Sequence, residues 1–316
     1  MLRKTQSRYI IFKVREEVEL MPFLMKALDG ISRNKAKAIL TGGGLRVNRR
    51  IVKQHDLPLK PGDVVEVSKR KPREEFNNKF VNLVYEDAQI IVVEKKPGIL
   101  SMGTSAKAYS VKTVLDEYFR RSHQKCTAHV VHRLDRETSG LLVYAKTIEA
   151  EQILEHNWHN IVTDRRYVAL TSGQPKQKQG VVESWLKDNK AYITFSSPED
   201  NGGKFARTHY KVVRSTGDYS LVELKLDTGR KNQIRVHLQD LECPVCGDMK
   251  YGNGSNPIGR LALHAFRLNF YHPITKELLR FETPIPKNFL SVFNKAVDKK
   301  QNSFGETCSF AVRSKE

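Results

Sequence analysis

From Phe80 to about residue 290 the chain keeps one rhythm: short apolar runs rich in β-branched residues, separated by polar turns, with few stretches periodic enough for helices. The runs are Ile90–Val93, Val130–His132, Leu141–Ala145, Arg166–Leu170, Ala191–Phe195, Thr208–Val213, Ser220–Leu226 and Ala265–Phe270. Helical spacing is confined to Ser110–Arg121, Glu149–Asn160 and the neighbourhood of Asn232–Leu238. The mixture predicts an α+β domain built on a mixed, largely antiparallel sheet. There is no internal repeat and no phosphate-cradling glycine loop of the P-loop or dinucleotide type, so no nucleotide cofactor is implied.

Residues 17–68 read as a small separate α/β module. Apolar periodicity predicts a helix around Leu20–Leu28, then a turn at Asp29-Gly30 and a second helix from about Ser32 to Leu40, stopped by Gly42-Gly43-Gly44. A short hairpin around Asn48-Arg49 carries Leu45, Val47 and Ile51, and Pro61-Gly62-Asp63 turns the chain into a strand at Val64–Val67. Residues 1–16 are set apart as an N-terminal extension and 69–79 as a linker rich in Lys, Arg, Glu and Asn. The large domain takes 80–290, and 291–316 is a polar tail, mobile from about Asp298.

The formal charge of +19, from 54 Lys and Arg against 35 Asp and Glu, favours a polyanionic partner. It is concentrated in the small module, where residues 31–73 hold twelve basic side chains against Asp56, Asp63 and Glu66. Arg33 and Lys37 stand one helical turn apart, and like charges stacked that way repel unless an anion lies over them. A phosphate-tracking surface and a plain solvated face both fit, the first more closely. Hydrophobic residues at 39% suffice for a core. No run approaches the ~20 apolar residues of a membrane helix. The N-terminus MLRKTQSRYIIFKVREE lacks the apolar centre and cleavage site of a signal peptide, which points to the cytoplasm. Cys126, Cys243, Cys246 and Cys308 are too few for a disulfide framework, and Cys243-Pro-Val-Cys246 is half a zinc motif with no second half, so no metal is implied.

The segment that carries chemistry is His129-Val-Val-His132-Arg133-Leu134-Asp135-Arg136-Glu137-Thr138-Ser139-Gly140-Leu141-Leu142-Val143. An apolar strand feeds a short polar loop that returns through a glycine into another apolar strand, which holds Asp135 at a sheet edge, where loops carry function. Arg133 and Arg136 favour the ionised carboxylate, which suits a nucleophile. An Arg–Asp ion pair that only pins the loop fits the spacing equally well. A glycosidase needs a second carboxylate at a set separation, and Glu137 is too near in sequence to be argued for it.

GISRNKAKAILTGGGLRVNRRIV, followed by LKPGDVV, resembles the S4 RNA-binding module of ribosomal proteins and RNA-modifying enzymes. HRLDRETSG resembles the nucleophile motif of the RluA-type family of pseudouridine synthases. Arg165-Arg166-Tyr167-Val168-Ala169 and Gly229-Arg230-Lys231-Asn232-Gln233-Ile234-Arg235-Val236-His237 fit that family in the same order. Gly247-Asp248, Tyr251-Gly252, Leu263-His264-Ala265, His272-Pro273 and Phe281-Glu282 extend the match to roughly Leu83–Pro286. The resemblance implies an enzyme that turns uridines of structured RNA into pseudouridine, ribosomal RNA before transfer RNA, as a monomer with no cofactor and no metal. It makes Asp135 the catalytic aspartate, Tyr167 the active-site tyrosine and Arg235 the arginine that pairs with the aspartate. Arg133 becomes the residue that fills the space left by a flipped-out base. Arg136 and Arg230 join Arg33, Lys35, Lys37, Arg46, Arg49 and Arg50 as expected RNA contacts. The competing reading is an RNA-binding or ribosome-assembly factor that has lost its chemistry; the presence of Asp135, Tyr167 and Arg235 together speaks against it.

Overall fold

The computed structural model describes residues 9–68, 76–105 and 108–301. The chain divides into two compact units, Met1–Phe76 with Arg120–Gln124, and Asn77–Phe119 with Lys125–Glu316. The first contains β1 (Tyr9–Lys13), β2 (Val18–Glu19), α1 (Leu20–Ala27), α2 (Arg33–Thr41), β3 (Leu45–Val47), β4 (Arg50–Ile51), β5 (Pro58–Leu59) and β6 (Val64–Ser68). Its four-stranded sheet, of order β1-β6-β3-β4, shares a core with both helices through Leu20, Leu24, Leu40, Leu45, Val65 and Val67. Ser32 accepts a hydrogen bond from Lys35 N and caps the start of α2. Asn48 and Arg49 both take left-handed φ, 49° and 68°, as a two-residue hairpin turn requires. The Asn48 side chain donates to Asp63 Oδ1 at 2.8 Å and accepts from Val64 N at 2.9 Å, so the hairpin is locked onto the turn before β6.

Residue 17 is not a structural boundary. Tyr9–Lys13, read from sequence as part of an extension, pairs along its length with Val64–Ser68 as an edge strand of this sheet. Its run is short and flanked by charge, and Ile11 stays exposed, so no alternation marks it. Lys69, Arg70, Lys71 and Arg73 of the expected linker, and the tail beyond residue 301, lie outside the described residues.

The second unit holds β7 (Val81–Glu86), β8 (Ile90–Lys95), all but the last two residues of α3 (Val111–Arg121), β9 (His129–Val130), β10 (Ser139–Ala145), α4 (Ile148–His156), α5 (Trp158–Ile161), β11 (Val162–Ser172), β12 (Gln179–Asp188) and β13 (Thr194–Ser197). β14 (Lys204–Ser215), β15 (Tyr219–Leu226), α6 (Gln233–Asp240), β16 (Leu263–Tyr271), β17 (Leu278–Glu282) and α7 (Lys287–Gln301) complete it. One 11-stranded sheet runs in the order β13-β12-β14-β15-β11-β16-β10-β8-β7, with β17 beside β16 and β9 beside β10. Its named strands pair antiparallel except β10 with β16, so the domain is α+β on a mixed, largely antiparallel sheet, as expected. β10 is buried at every position, the mark of a central strand covered on both faces. The parallel pair comes very close: Gly140 has φ +122°, and a Cβ there would stand 2.2 Å from Ala265 O. Only glycine fits.

Three differences from the expected elements bear on function. β12 and the short β13 form a hairpin whose turn occupies Asn189–Tyr192, so the strand expected at Ala191–Phe195 starts only at Thr194. The polar tail expected from residue 291 begins inside α7, which buries Phe289, Val292 and Phe293. β7 and β17 were not expected as strands; β7 lies at the sheet edge with Leu83 and Val84 exposed, so it lacks the alternation of a half-buried strand.

Candidate active site

Asp135 lies in the loop between β9 and β10, and the core grips that loop from beneath. Ser101, itself buried, donates to Leu134 O at 2.8 Å and accepts from Leu134 N at 3.0 Å. Gly98 N donates to Arg136 O, and Thr138 N closes the turn onto Asp135 O at 3.1 Å. Lys95, fully buried at the end of β8, spreads its ammonium over three carbonyls: Arg136 and Ile99 at 2.8 Å and Lys96 at 3.1 Å. Burial pushes that ammonium down from 10.5 to about 7, although the Glu137 and Asp135 carboxylates pull the other way. The loop backbone is therefore tied at Leu134 and Arg136 to the end of β8 and the turn that follows it, while the Asp135 side chain stays 41% exposed.

Arg235, on the first turn of α6, meets Asp135 Oδ2 through Nη1 at 3.3 Å. Its stronger partner is another residue. Nε and Nη2 donate to the two oxygens of Asp248 at 2.6 and 2.7 Å, a bidentate pair in which the Asp248 side chain has no exposed surface. Burial alone raises the Asp248 pKa, but the Arg235 bonds and the backbone N–H groups of Tyr251 and Lys250 outweigh it and hold the carboxyl below 3.8. Nη1 also donates to Asn232 Oδ1 at 2.9 Å, and the guanidinium lies 4.9 Å from the Tyr251 ring centre. The turn that supplies Asp248 depends on Gly247, which has φ +72° and whose Cβ would fall 2.0 Å from Arg260 O.

Tyr167 enters from β11, at a bulge where its backbone pairs with Ala265. Ala265 in turn pairs with Gly140, just past the Asp135 loop. Two inter-strand steps of about 5 Å each therefore separate the tyrosine's strand from the one the loop feeds. Tyr167 is 6% exposed, and burial raises its pKa; the Arg165 cation opposes that rise and the Asp135 charge adds to it. It is a phenol held against giving up its proton.

The structure brings Asp135 and Arg235 together and sets Tyr167 within electrostatic reach of Asp135. Arg133 and Arg136 are exposed, and the Arg136 guanidinium is turned to Gly98 O and Glu137, so the cation that touches Asp135 is Arg235. Arg230 is exposed at the β15–α6 loop and donates to Phe205 O. In the first unit Arg33, Lys35, Lys37, Arg49 and Arg50 are exposed and form no ion pair among the described residues, while Arg46 is half-buried with its guanidinium 4.8 Å from the Tyr9 ring centre. Cys243 and Cys246 are buried free thiols, pushed up by burial to about 12 and about 11. Sequence reasoning gave Asp248 and Lys95 no role. The signal for the first is Gly247-Asp248 within the family pattern; for the second it is a lysine ending the apolar run of β8.

The fold and this geometry define a class: an enzyme domain on a mixed sheet that presents one half-exposed carboxylate, shared with a clamped arginine, beside a buried tyrosine. Comparison with known proteins agrees. The sequence model of the RNA pseudouridylate synthase family matches residues 89–240. The uncharacterized RNA pseudouridine synthase YjbO of Bacillus subtilis is 34% identical over 82% of this chain and 93% of its own length. Ribosomal large subunit pseudouridine synthase D of Haemophilus influenzae is 31% identical over 83% of this chain and 86% of its own. The structure of human RNA pseudouridylate synthase domain containing 4 superimposes with a TM-score of 0.56 at 25% identity, covering 68% of this chain and 92% of the human one. The chain belongs to the RluA-type family of RNA pseudouridine synthases.

Proposed function

We propose that this protein converts specific uridines of ribosomal RNA to pseudouridine, with Asp135 as the nucleophile. The observation that carries the reading is the unequal sharing of Arg235: its bidentate bond goes to buried Asp248, and Asp135 receives one weaker contact. Asp135 is thus oriented and kept beside a cation without being tied up, as an attacking carboxylate must be. The names of relatives that act on the ribosomal large subunit support ribosomal RNA as the substrate.

A stacked uridine cannot reach the carboxylate, so the base must flip out, at a cost of a few kcal/mol that a loop target reduces. Arg133, exposed two residues before Asp135, would fill the vacated place. The N1–C1′ bond breaks, the base turns, C5 joins C1′, and the C5 proton leaves while N1 gains one; no net oxidation occurs. Attack on the base and participation at the sugar both start from this carboxylate. Tyr167, with its raised pKa, packs on the uracil in preference to taking the C5 proton.

The first unit serves as an S4-like RNA-binding module, its exposed Arg33, Lys35, Lys37, Arg49 and Arg50 supplying phosphate contacts. The protein works as a monomer in the cytoplasm; no helix among the described residues is long and apolar enough to cross a membrane. The test uses ribosomal RNA transcripts carrying tritium at uridine C5. The native chain releases tritium to water and Asp135→Asn does not. Binding without release by the native chain would put the non-catalytic assembly factor ahead.

A further inference from the structure

The tip of the β12–β13 hairpin is built with more care than a chain reversal needs. Asn189 accepts from Ala191 N at 2.9 Å and Ile193 N at 3.0 Å through its side chain, and Tyr192 N donates to Asn189 O at 2.9 Å. This fixes Tyr192 at φ +58°, a conformation that turns normally fill with Gly, Asn or Asp. Tyr192 nevertheless stands there 75% exposed. Met249, between the Asp248 that clamps Arg235 and Lys250, is 96% exposed. Lys250 joins the two turns by donating to Tyr192 O at 2.5 Å. Exposed Lys190 stands two residues before Tyr192 and exposed Lys250 follows Met249, and the acid at the tip, Asp188, is already paired with Lys231 at 2.6 Å.

The tip is also tied to the site. Thr194, which opens β13, donates through its backbone to Tyr251 Oη, and Asn232 Nδ2 bonds both Thr194 Oγ1 at 3.0 Å and Tyr251 Oη at 3.1 Å. Asn232 then accepts from Arg235 Nη1, the same nitrogen that meets Asp135. An exposed flat ring and an exposed polarizable thioether, with lysines close by in sequence and their turns bonded to each other and to the site, suit a base with a phosphate on either side.

We propose that Tyr192 and Met249 form a stacking platform for an unpaired nucleotide of the substrate RNA, adjoining the target uridine, with Lys190 and Lys250 on its phosphates. The proposal rests on the RNA-modifying reading and names where the flanking strand runs. Because every base has a π-face, the platform favours single-stranded over paired RNA with little regard to sequence.

The test measures fluorescence anisotropy of a labelled single-stranded 12-nucleotide uridine-rich RNA and of a perfect hairpin duplex, with the full chain, Tyr192→Ala, Met249→Ala and Tyr192→Phe. Tyr192→Ala is expected to weaken single-strand binding at least fivefold and duplex binding less than twofold; Met249→Ala moves the same way by less, and Tyr192→Phe stays within twofold of the native chain. Equal single-strand affinity for the native chain and Tyr192→Ala overturns the proposal, as does equal loss with Tyr192→Phe, since a ring without its hydroxyl should still stack. Tritium release by the native chain is read separately. Its absence would sink the reading of function and leave the stacking comparison intact.

Discussion

Arg235 stands between two carboxylates of opposite character. Asp248 is wholly buried, so a neutral amide in its place leaves the largely buried guanidinium only the weaker Asp135 contact as a charged partner; breaking a buried pair costs about 3–5 kcal/mol. Asp248→Asn should therefore lower stability by that order and also draw Arg235 toward Asp135, immobilising the proposed nucleophile. The expected outcome is a single-turnover rate at saturating RNA reduced by about tenfold or more, checked below the variant's melting temperature; an unchanged rate would mean that Asp248 serves only folding. Lys95 makes a second residue-scale prediction. The unfolded lysine keeps its proton to 10.5 and the folded one to about 7, so between those values the folded chain binds fewer protons. The stability this group contributes rises with pH across that window and is lost as pH falls through 7. Denaturant unfolding at pH 6, 8 and 9.5 should show the native chain gaining on Lys95→Met by up to about 1.4 kcal/mol per pH unit above 7. Parallel curves would mean the three carbonyls hold the ammonium charged throughout.

At the scale of elements, β10 and β16 bring the Asp135 loop and the Tyr167 bulge into line, and their contact leaves no room for a methyl group at Gly140. Gly140→Ala is expected to cost about 2–4 kcal/mol from the steric contact and the left-handed φ, lowering the melting temperature by roughly 5–15 °C. A melting temperature within 2 °C of native would show that the strands can part. The sequence made this region legible because β10 is buried on both faces and reads as an unbroken apolar run ending a motif. β12 was not legible: Val181 is exposed, charged residues interrupt it, and Tyr192, which looks like strand, sits in the turn that follows. α7 carries its apolar residues at helical spacing, but the surrounding Lys and Asn gave the segment the look of a tail. Of the site, Asp135 and Arg235 were readable because a motif names them. Asp248 and Lys95 act through burial and long-range contact, with partners 13 residues away for Asp248 and 41 for Lys95 at the Arg136 carbonyl, and no local pattern reveals that.

For the whole molecule, the densest basic run and the candidate catalytic residues sit in different places along the chain. The basic side chains of α2 and the β3–β4 hairpin, which form no ion pair among the described residues, belong to the first unit, and Asp135, Tyr167 and Arg235 to the second. If the first unit grips phosphate, its contribution is sequence-independent and screened by salt, whereas the Asp135 step is a local event that salt hardly reaches. Replacing Arg33, Lys37 and Arg49 together with Gln should lower the slope of log affinity against log salt by about 2–3, since each lost phosphate contact removes roughly 0.7–0.9. The loss in turnover should fall on KM, with kcat much less affected. Asp135→Asn should do the reverse, keeping affinity and its salt slope while losing the reaction. A triple variant with the native slope would assign the phosphate contacts to the second unit instead, where Arg133, Arg230 and the lysines around Tyr192 would carry the RNA.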